Sequence, residues 1–172
     1  MEPMHVIDPK NLTDNVFQAI GSDWMLITAG TPEHWNTMTA SWGGMGILWN
    51  KNVVFCVIRP GRYTFEHMEK HDNFSLSFFD ESWRKALNLC GTASGRDVDK
   101  AAVTGLIPIP GKHGTMTFEQ ARLVFECRKL YWQDVNPDHF LDRKLMANYP
   151  IRDFHRMYFA EILECRRTAC PT

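Results

Sequence analysis

The chain has 172 residues, 44% of them hydrophobic and 23% charged, and a formal net charge of −1. That balance suits one globular domain with its own core and excludes a disordered chain. Near-neutrality also removes any long-range pull on nucleic acid or an anionic membrane, so a cationic site has to be local.

Met1 to His5 carries no basic stretch followed by an apolar run, which predicts no secretory signal. No apolar run approaches the roughly 20 residues of a membrane span. The cysteines, Cys56, Cys90, Cys127, Cys165 and Cys170, are odd in number and lack CxxC spacing. They read as reduced thiols in a cytoplasmic protein.

In chain order, residues 11–20 read as a short helix with Val16, Phe17 and Ile20 on one face and Thr13 as its cap. Trp24 to Thr28 is an apolar strand ending in the turn Ala29-Gly30-Thr31-Pro32. Asn36 to Trp42 is a second strand, and Gly43, Gly44 and Gly46 predict a bend or bulge after it. Val53 to Ile58, continuously apolar, is a buried strand that Pro60-Gly61 ends. A helix from Thr64, as N-cap, to Lys70 follows, then a strand over Phe74 to Phe79.

Asp80 caps a helix to Leu89 with Trp83, Leu87 and Cys90 inward. Gly91 to Asp97 is a loop, and Asp97 caps a short helix to about Thr104. Residues 105–115, rich in Gly and Pro, predict a surface excursion. Ala121 to Gln133 is the longest strand, Asn136 opens a short helix to Met146, and His155 to Cys165 is the last strand before a tail from Arg166. About six strands with short helices between them predict a mainly β fold, an antiparallel barrel.

Three stretches carry chemistry. Arg59 and Arg62 flank Pro60-Gly61, with Tyr63 and Thr64 at a helix start. Guanidinium forks and free helix N–H groups both suit a phosphate, although two surface arginines beside a turn would read the same way. Thr39-Ala40-Ser41-Trp42 offers small residues against which a flat ring can lie, and Trp42 could equally be core. Ser94-Gly95-Arg96, ahead of a capped helix, could form a second anion nest. Other chemistries lack their patterns. Thr92-Ala93-Ser94-Gly95-Arg96 is not a G-x-S-x-G elbow, His67 and His71 lack a third metal ligand nearby, and no basic-aromatic strip suggests nucleic acid.

Taken in order, several segments resemble one family. They are Met38-Thr39-Ala40-Ser41-Trp42-Gly43-Gly44, Ile58-Arg59-Pro60-Gly61-Arg62-Tyr63-Thr64, Phe74 to Phe79, Asn88 to Asp97 and His155-Arg156-Met157-Tyr158. Together, from about Trp24 to Glu164, they look like the flavin reductase-like, flavoredoxin-type proteins with an FMN-binding split barrel. The resemblance implies a single domain over 1–172 with its core at about 24–164, a Greek-key split barrel, and a homodimer with FMN near the interface. It implies that Thr39, Ala40, Ser41 and Trp42 line the ring and ribityl chain. Arg59, Arg62, Tyr63 and Thr64 would hold the phosphate, together with Cys90, Gly91, Ser94, Gly95, Arg96 and Lys100. His155 would stand near a nicotinamide, and no side chain is assigned a catalytic role. The activity implied is an NAD(P)H:flavin oxidoreductase with NADH or NADPH as co-substrate. A flavoredoxin-like FMN electron carrier that serves a protein partner is the alternative, and a non-catalytic flavin-binding domain is the third reading. Neither metal, nucleic acid nor membrane is expected.

Overall fold

The protein, analysed as a computed structural model, is described over residues 3–168; Cys170 lies outside them. Ten strands form, eight of them in one antiparallel sheet. These eight are β1 (Met4–Ile7), β2 (Met25–Thr31), β3 (His34–Ala40), β4 (Gly43–Leu48), β5 (Lys51–Ile58), β6 (Asn73–Phe78), β9 (Leu123–Asp134) and β10 (Arg156–Thr168). The order is β3-β2-β6-β9-β10-β5-β4, and β1 adds to the far end of β10.

The sequence dictates how this sheet closes. β3 and β4 stand at opposite edges, yet only Ser41 and Trp42 separate them. That link spans roughly 10 Å at most, so the edges lie side by side and the sheet curls into a barrel. No ladder joins β3 to β4 among the described residues, which leaves a seam. The interior is filled from every side, by Ile27, Met38, Cys56, Ile58, Phe74, Phe78, Phe125, Cys127 and Tyr158 among others. Their alternation along each strand is what commits one face to the core.

A second apolar layer covers the outside of β2, β6 and β9. Helix α2 (Arg84–Thr92) lays Leu87 and Cys90 on Leu26 and Val124, and the hairpin β7–β8 (Pro108–Pro110, Met116–Phe118) adds Phe118. The expected excursion at 105–115 is therefore this hairpin and its approach, with Leu106 and Thr115 buried. Glu126, fully buried on β9, pins it. Its carboxylate accepts from the amides of Lys112 (3.1 Å) and His113 (2.9 Å), from Thr115 Oγ1 (2.8 Å) and from Arg166 (2.9 Å).

Several expectations are corrected. Residues 11–20 are not one helix. A 3₁₀ turn covers Pro9–Asn11 and a π-helix covers Gln18–Asp23; Asn15 rather than Thr13 caps, and Phe17 is exposed. The turn expected at 29–32 falls later, because β2 runs on to Thr31. The glycines at 43–46 lie inside β4 instead of ending a strand. Gly44 is needed there because the Phe55 ring lies across it; a Cβ would sit 2.4 Å from that ring. Arg62, not Thr64, is the N-cap of α1 (Tyr63–Lys70). The Asp80 side chain accepts no capping bond, and a 3₁₀ turn (Glu81–Trp83) leads into α2. Asp99, not Asp97, caps α3 (Lys100–Thr104), through a 3.1 Å bond from the Ala102 amide. Residues 136–146 form two separate 3₁₀ turns, Pro137–His139 and Arg143–Asn148. The supposed tail at Arg166 continues β10 to Thr168. A register shift between β9 and β10 turns Tyr131 outward, although its spacing from Cys127 alone would put it on the core face.

Candidate functional site

Two hollows, each of about 210 Å³, lie side by side along β3 and share Met38. The first follows the seam: Thr39, Ala40, Ser41 and Trp42 line it, with Val57, Arg59 and His155 opposite. The second lies between Asn36 on β3, Gly61 to Thr64 at the start of α1, Thr92 to Gly95 after α2, and Lys100 on α3.

The second hollow is cationic. Lys100 is 5% exposed, and its Nζ donates to the carbonyls of Thr37 (2.7 Å) and Cys90 (2.9 Å). Arg62 donates to the carbonyls of Gly91 (2.7 Å) and Cys90 (3.5 Å). Burial pulls the Lys100 ammonium down to about 8, with the nearby Arg62 charge adding to the effect, and burial also lowers Arg62. No carboxylate lines the hollow, and neither cation has an ion pair among the described residues. Two half-desolvated positive charges sharing one carbonyl are costly unless an anion meets them. Each keeps spare donors for one, because a lysine has three N–H bonds and an arginine five. No side chain caps α1, and its first two residues, Tyr63 and Thr64, line this hollow at the positive end of the helix. The Ser94 hydroxyl is at the rim, and Asn36 Nδ2 holds Thr64 Oγ1 at 2.7 Å. This donor set fits a phosphate.

The first hollow is flatter and mixed. Trp42 is 46% exposed and tilts against His155, ring centres 5.1 Å apart. His155 is buried, and its Nδ1 meets the Tyr149 hydroxyl at 2.9 Å. Burial, reinforced by the Arg59 charge, drops the His155 imidazole to about 4, so it is neutral at pH 7. Arg59 clamps the 136–155 connection: it binds Asp153 (2.6 Å) and the Asn148 carbonyl (2.8 Å) and lies over the Tyr149 ring.

The sequence-derived residues thus divide differently from expectation. Arg62, Tyr63, Thr64, Ser94, Gly95 and Lys100 line one hollow. Arg59 does not join them; it lies in the ring-side hollow, with its charge spent on Asp153. Cys90 is buried and contributes its carbonyl, as does Gly91. Thr39 spends its hydroxyl on the Leu87 carbonyl, tying α2 to β3. Arg96 is paired with Glu66 and lies over Tyr63, outside the phosphate-sized hollow. Sequence reasoning missed Asn36, Met38 and Tyr149. Only Asn36, a polar residue inside an apolar-flanked strand, gave any signal.

The flavin reductase like domain model matches residues 17–166. The chain belongs to that family. Its fold is matched by solved structures of low identity. One is the FMN-binding domain of a flavin reductases-like enzyme from Shewanella baltica (14% identity, TM-score 0.71, covering 97% of this chain and 78% of that one). Another is flavoredoxin from Methanosarcina acetivorans (19%, TM-score 0.64, 83% and 67%). A third is an NADH:FAD oxidoreductase from Streptomyces globisporus, solved with NAD and FAD fragments (14%, TM-score 0.63, 84% and 74%). At these identities the likeness is one of fold, and the barrel with an open seam is the family's split barrel. No curated protein matches the chain in sequence. No helix among the described residues is long and apolar enough to cross a membrane.

Proposed function

We propose that this chain binds FMN across the two hollows and works as a flavin oxidoreductase that takes electrons from a reduced nicotinamide. The observation that carries this reading is the pair of half-buried Arg62 and buried Lys100, beside a helix start, with no ion-pair partner among the described residues. A phosphate supplies the missing charge, and Met38 joins its hollow to one wide enough for a ring.

Flavin, when bound, supplies the redox chemistry; the protein's work is to hold and orient it. Arg62, Lys100 and the first-turn amides of α1 would grip the phosphate. The backbone from Thr39 to Trp42, free of bulky side chains up to Trp42, would meet the ring edge. His155, uncharged at neutral pH and fixed by Tyr149, offers its remaining ring nitrogen to an amide-bearing donor without adding charge. Arg59 positions this corner by holding residues 148–153 in place.

The chain is also proposed to pair with a second copy. Phe55, Phe159, Tyr131 and Trp49 form a continuous aromatic strip on the outside of β5, β10 and β9, ring centres 5.7, 6.0 and 6.2 Å apart in turn. Val57, on the same face, lines the ring-side hollow, so a partner seated on the strip would help wall it.

The test is anaerobic mixing of the FMN-loaded protein with NADH or NADPH. Rapid bleaching of the flavin band is the expected result. A band that persists, and bleaches only with a reduced partner protein, would replace the reductase with an electron carrier.

A further inference from the structure

The connection from β9 to β10 ends by folding back on itself. The Arg152 amide donates to the Tyr149 carbonyl (3.0 Å), and Arg152 takes a left-handed backbone (φ 58°) that costs a bulky residue energy. This turn sets Tyr149 against His155. Phe154 and Phe140 pack on the Tyr149 ring, centres 4.8 and 6.0 Å away, and the Arg59 guanidinium lies 5.1 Å from its centre. Tyr149 is buried among them, so its ring is held from several sides.

The hydroxyl of that ring decides which nitrogen of His155 carries the hydrogen. It meets Nδ1 at 2.9 Å and makes no other hydrogen bond among the described residues. Were Nδ1 protonated, the phenol would have to accept, and its own hydrogen would be buried without a partner. With Nδ1 accepting, the neutral imidazole keeps its hydrogen on Nε2. Burial raises the Tyr149 phenol and lowers His155 to about 4, so both rings are neutral at pH 7. Nε2 has no protein partner among the described residues and is not an enclosed atom, and His155 lines the ring-side hollow.

We infer that Tyr149 is a positioning residue: by donating to Nδ1 it fixes the orientation and tautomer of His155, so that this wall presents an N–H and selects a carbonyl oxygen on the incoming electron donor. A ring nitrogen that accepted would select an amide N–H instead, and would place the same donor differently. Who bears that oxygen rests on the proposed function. There FMN lies along Thr39 to Trp42, His155 stands on the opposite wall, and the oxygen is that of the nicotinamide carboxamide. The contact is made on binding and does not change as the hydride moves, so it acts on KM rather than kcat.

Two measurements test this. Nitrogen-15 NMR of the intact flavin-free chain at pH 7, with His155 assigned by its loss in His155→Asn, reads the tautomer without any turnover. Nδ1 should resonate as an unprotonated, accepting nitrogen and Nε2 as a protonated one. In Tyr149→Phe, which keeps the packed ring and removes only the hydroxyl, the two signals should move toward each other. A parent with its hydrogen on Nδ1, or signals that Tyr149→Phe leaves in place, overturns the inference. Steady-state kinetics of the FMN-loaded protein then tests the selection. Tyr149→Phe should raise KM for NADH roughly three- to tenfold, the scale of one neutral hydrogen bond, with kcat and FMN affinity unchanged. The 3-acetylpyridine analogue of NADH, which keeps the carbonyl and lacks the amide N–H, should show the same rise. An unchanged KM, a rise for NADH alone, or a parallel loss of FMN affinity overturns the selection of a carbonyl oxygen. A parent with the expected tautomer that oxidises no reduced nicotinamide overturns the proposed reductase and the ligand assigned here, and the NMR result keeps that failure distinct from a failure of Tyr149 to hold His155.

Discussion

Lys100 gives the sharpest prediction. Its ammonium spends two of its three N–H bonds on the Thr37 and Cys90 carbonyls and keeps the third for the hollow. Lys100→Met removes that donor and its charge while keeping most of the side-chain bulk. One charge-assisted bond contributes about 1.5–3 kcal/mol, so FMN should bind roughly 10- to 150-fold more weakly. Riboflavin, which lacks the phosphate, should bind the variant and the parent about equally. The pH dependence follows from the same atom. In the free protein burial holds Lys100 at about 8, below its usual 10.5. A phosphate beside it favours the charged form, so binding takes up a proton once the pH exceeds about 8. FMN affinity in the parent should therefore fall as pH rises from 8 to 9.5, by up to about tenfold per unit. The variant should show no such fall. Fluorescence titration of FMN and riboflavin at several pH values reads both effects. A flat FMN profile across that window, or a variant that loses riboflavin as strongly as FMN, would refute the phosphate assignment.

Arg59→Gln should leave FMN affinity within about threefold of the parent, unlike Arg62→Ala, because Arg59 is committed to Asp153 and Asn148. Hydrogen exchange should instead quicken in residues 148–153, and the His155 resonance should titrate at a higher pH once the Arg59 charge is gone. Glu126→Gln should cost on the order of 3 kcal/mol in urea unfolding, since it breaks the ion pair of a fully buried carboxylate and leaves Arg166 only its longer contact to Glu164. His67 and His155 are both held near 4 by burial, below the usual 6.5. The unfolded chain binds more protons there, so stability should drop as pH falls from 6.5 to 4, and His67→Phe should flatten the slope. Phe159→Glu places a charge in the aromatic strip and should convert a dimer to monomers by light scattering; a parent that is already monomeric would remove the proposed pairing.

The central strands were legible because their apolar patterns, one continuous and two alternating, are strong. Val53 to Ile58, Phe74 to Phe78 and Leu123 to Cys127 each commit one face to the barrel, and nothing local competes. β1 was not legible, since Met4 to Ile7 is a strand only through its pairing with Cys165 to Thr168 of β10, a contact no local pattern encodes. The glycines of β4 misled for a related reason: Gly44 is there to let the Phe55 ring cross, a demand made by the neighbouring strand. At the site, the residues of the Arg62–Lys100 hollow could be anticipated as neighbours because most of them cluster in two short segments. Arg59 and Arg62 could not be told apart three positions apart on one turn. Which one faces the hollow depends on Asp153, far along the chain, taking Arg59. Tyr149 and His155 show the same limit, because their hydrogen bond gives the ring-side corner its shape and neither residue type announces it.

The account stands on FMN lying across the two hollows that meet at Met38. The most direct measurement is a titration of purified protein with FMN, followed by its visible spectrum and the quenching of flavin and tryptophan fluorescence. The account requires one FMN per chain, a flavin band shifted by Trp42 and lost from its shifted position in Trp42→Leu, and much weaker binding in Arg62→Ala. A chain that leaves the FMN spectrum and fluorescence unchanged at saturating concentrations would contradict it.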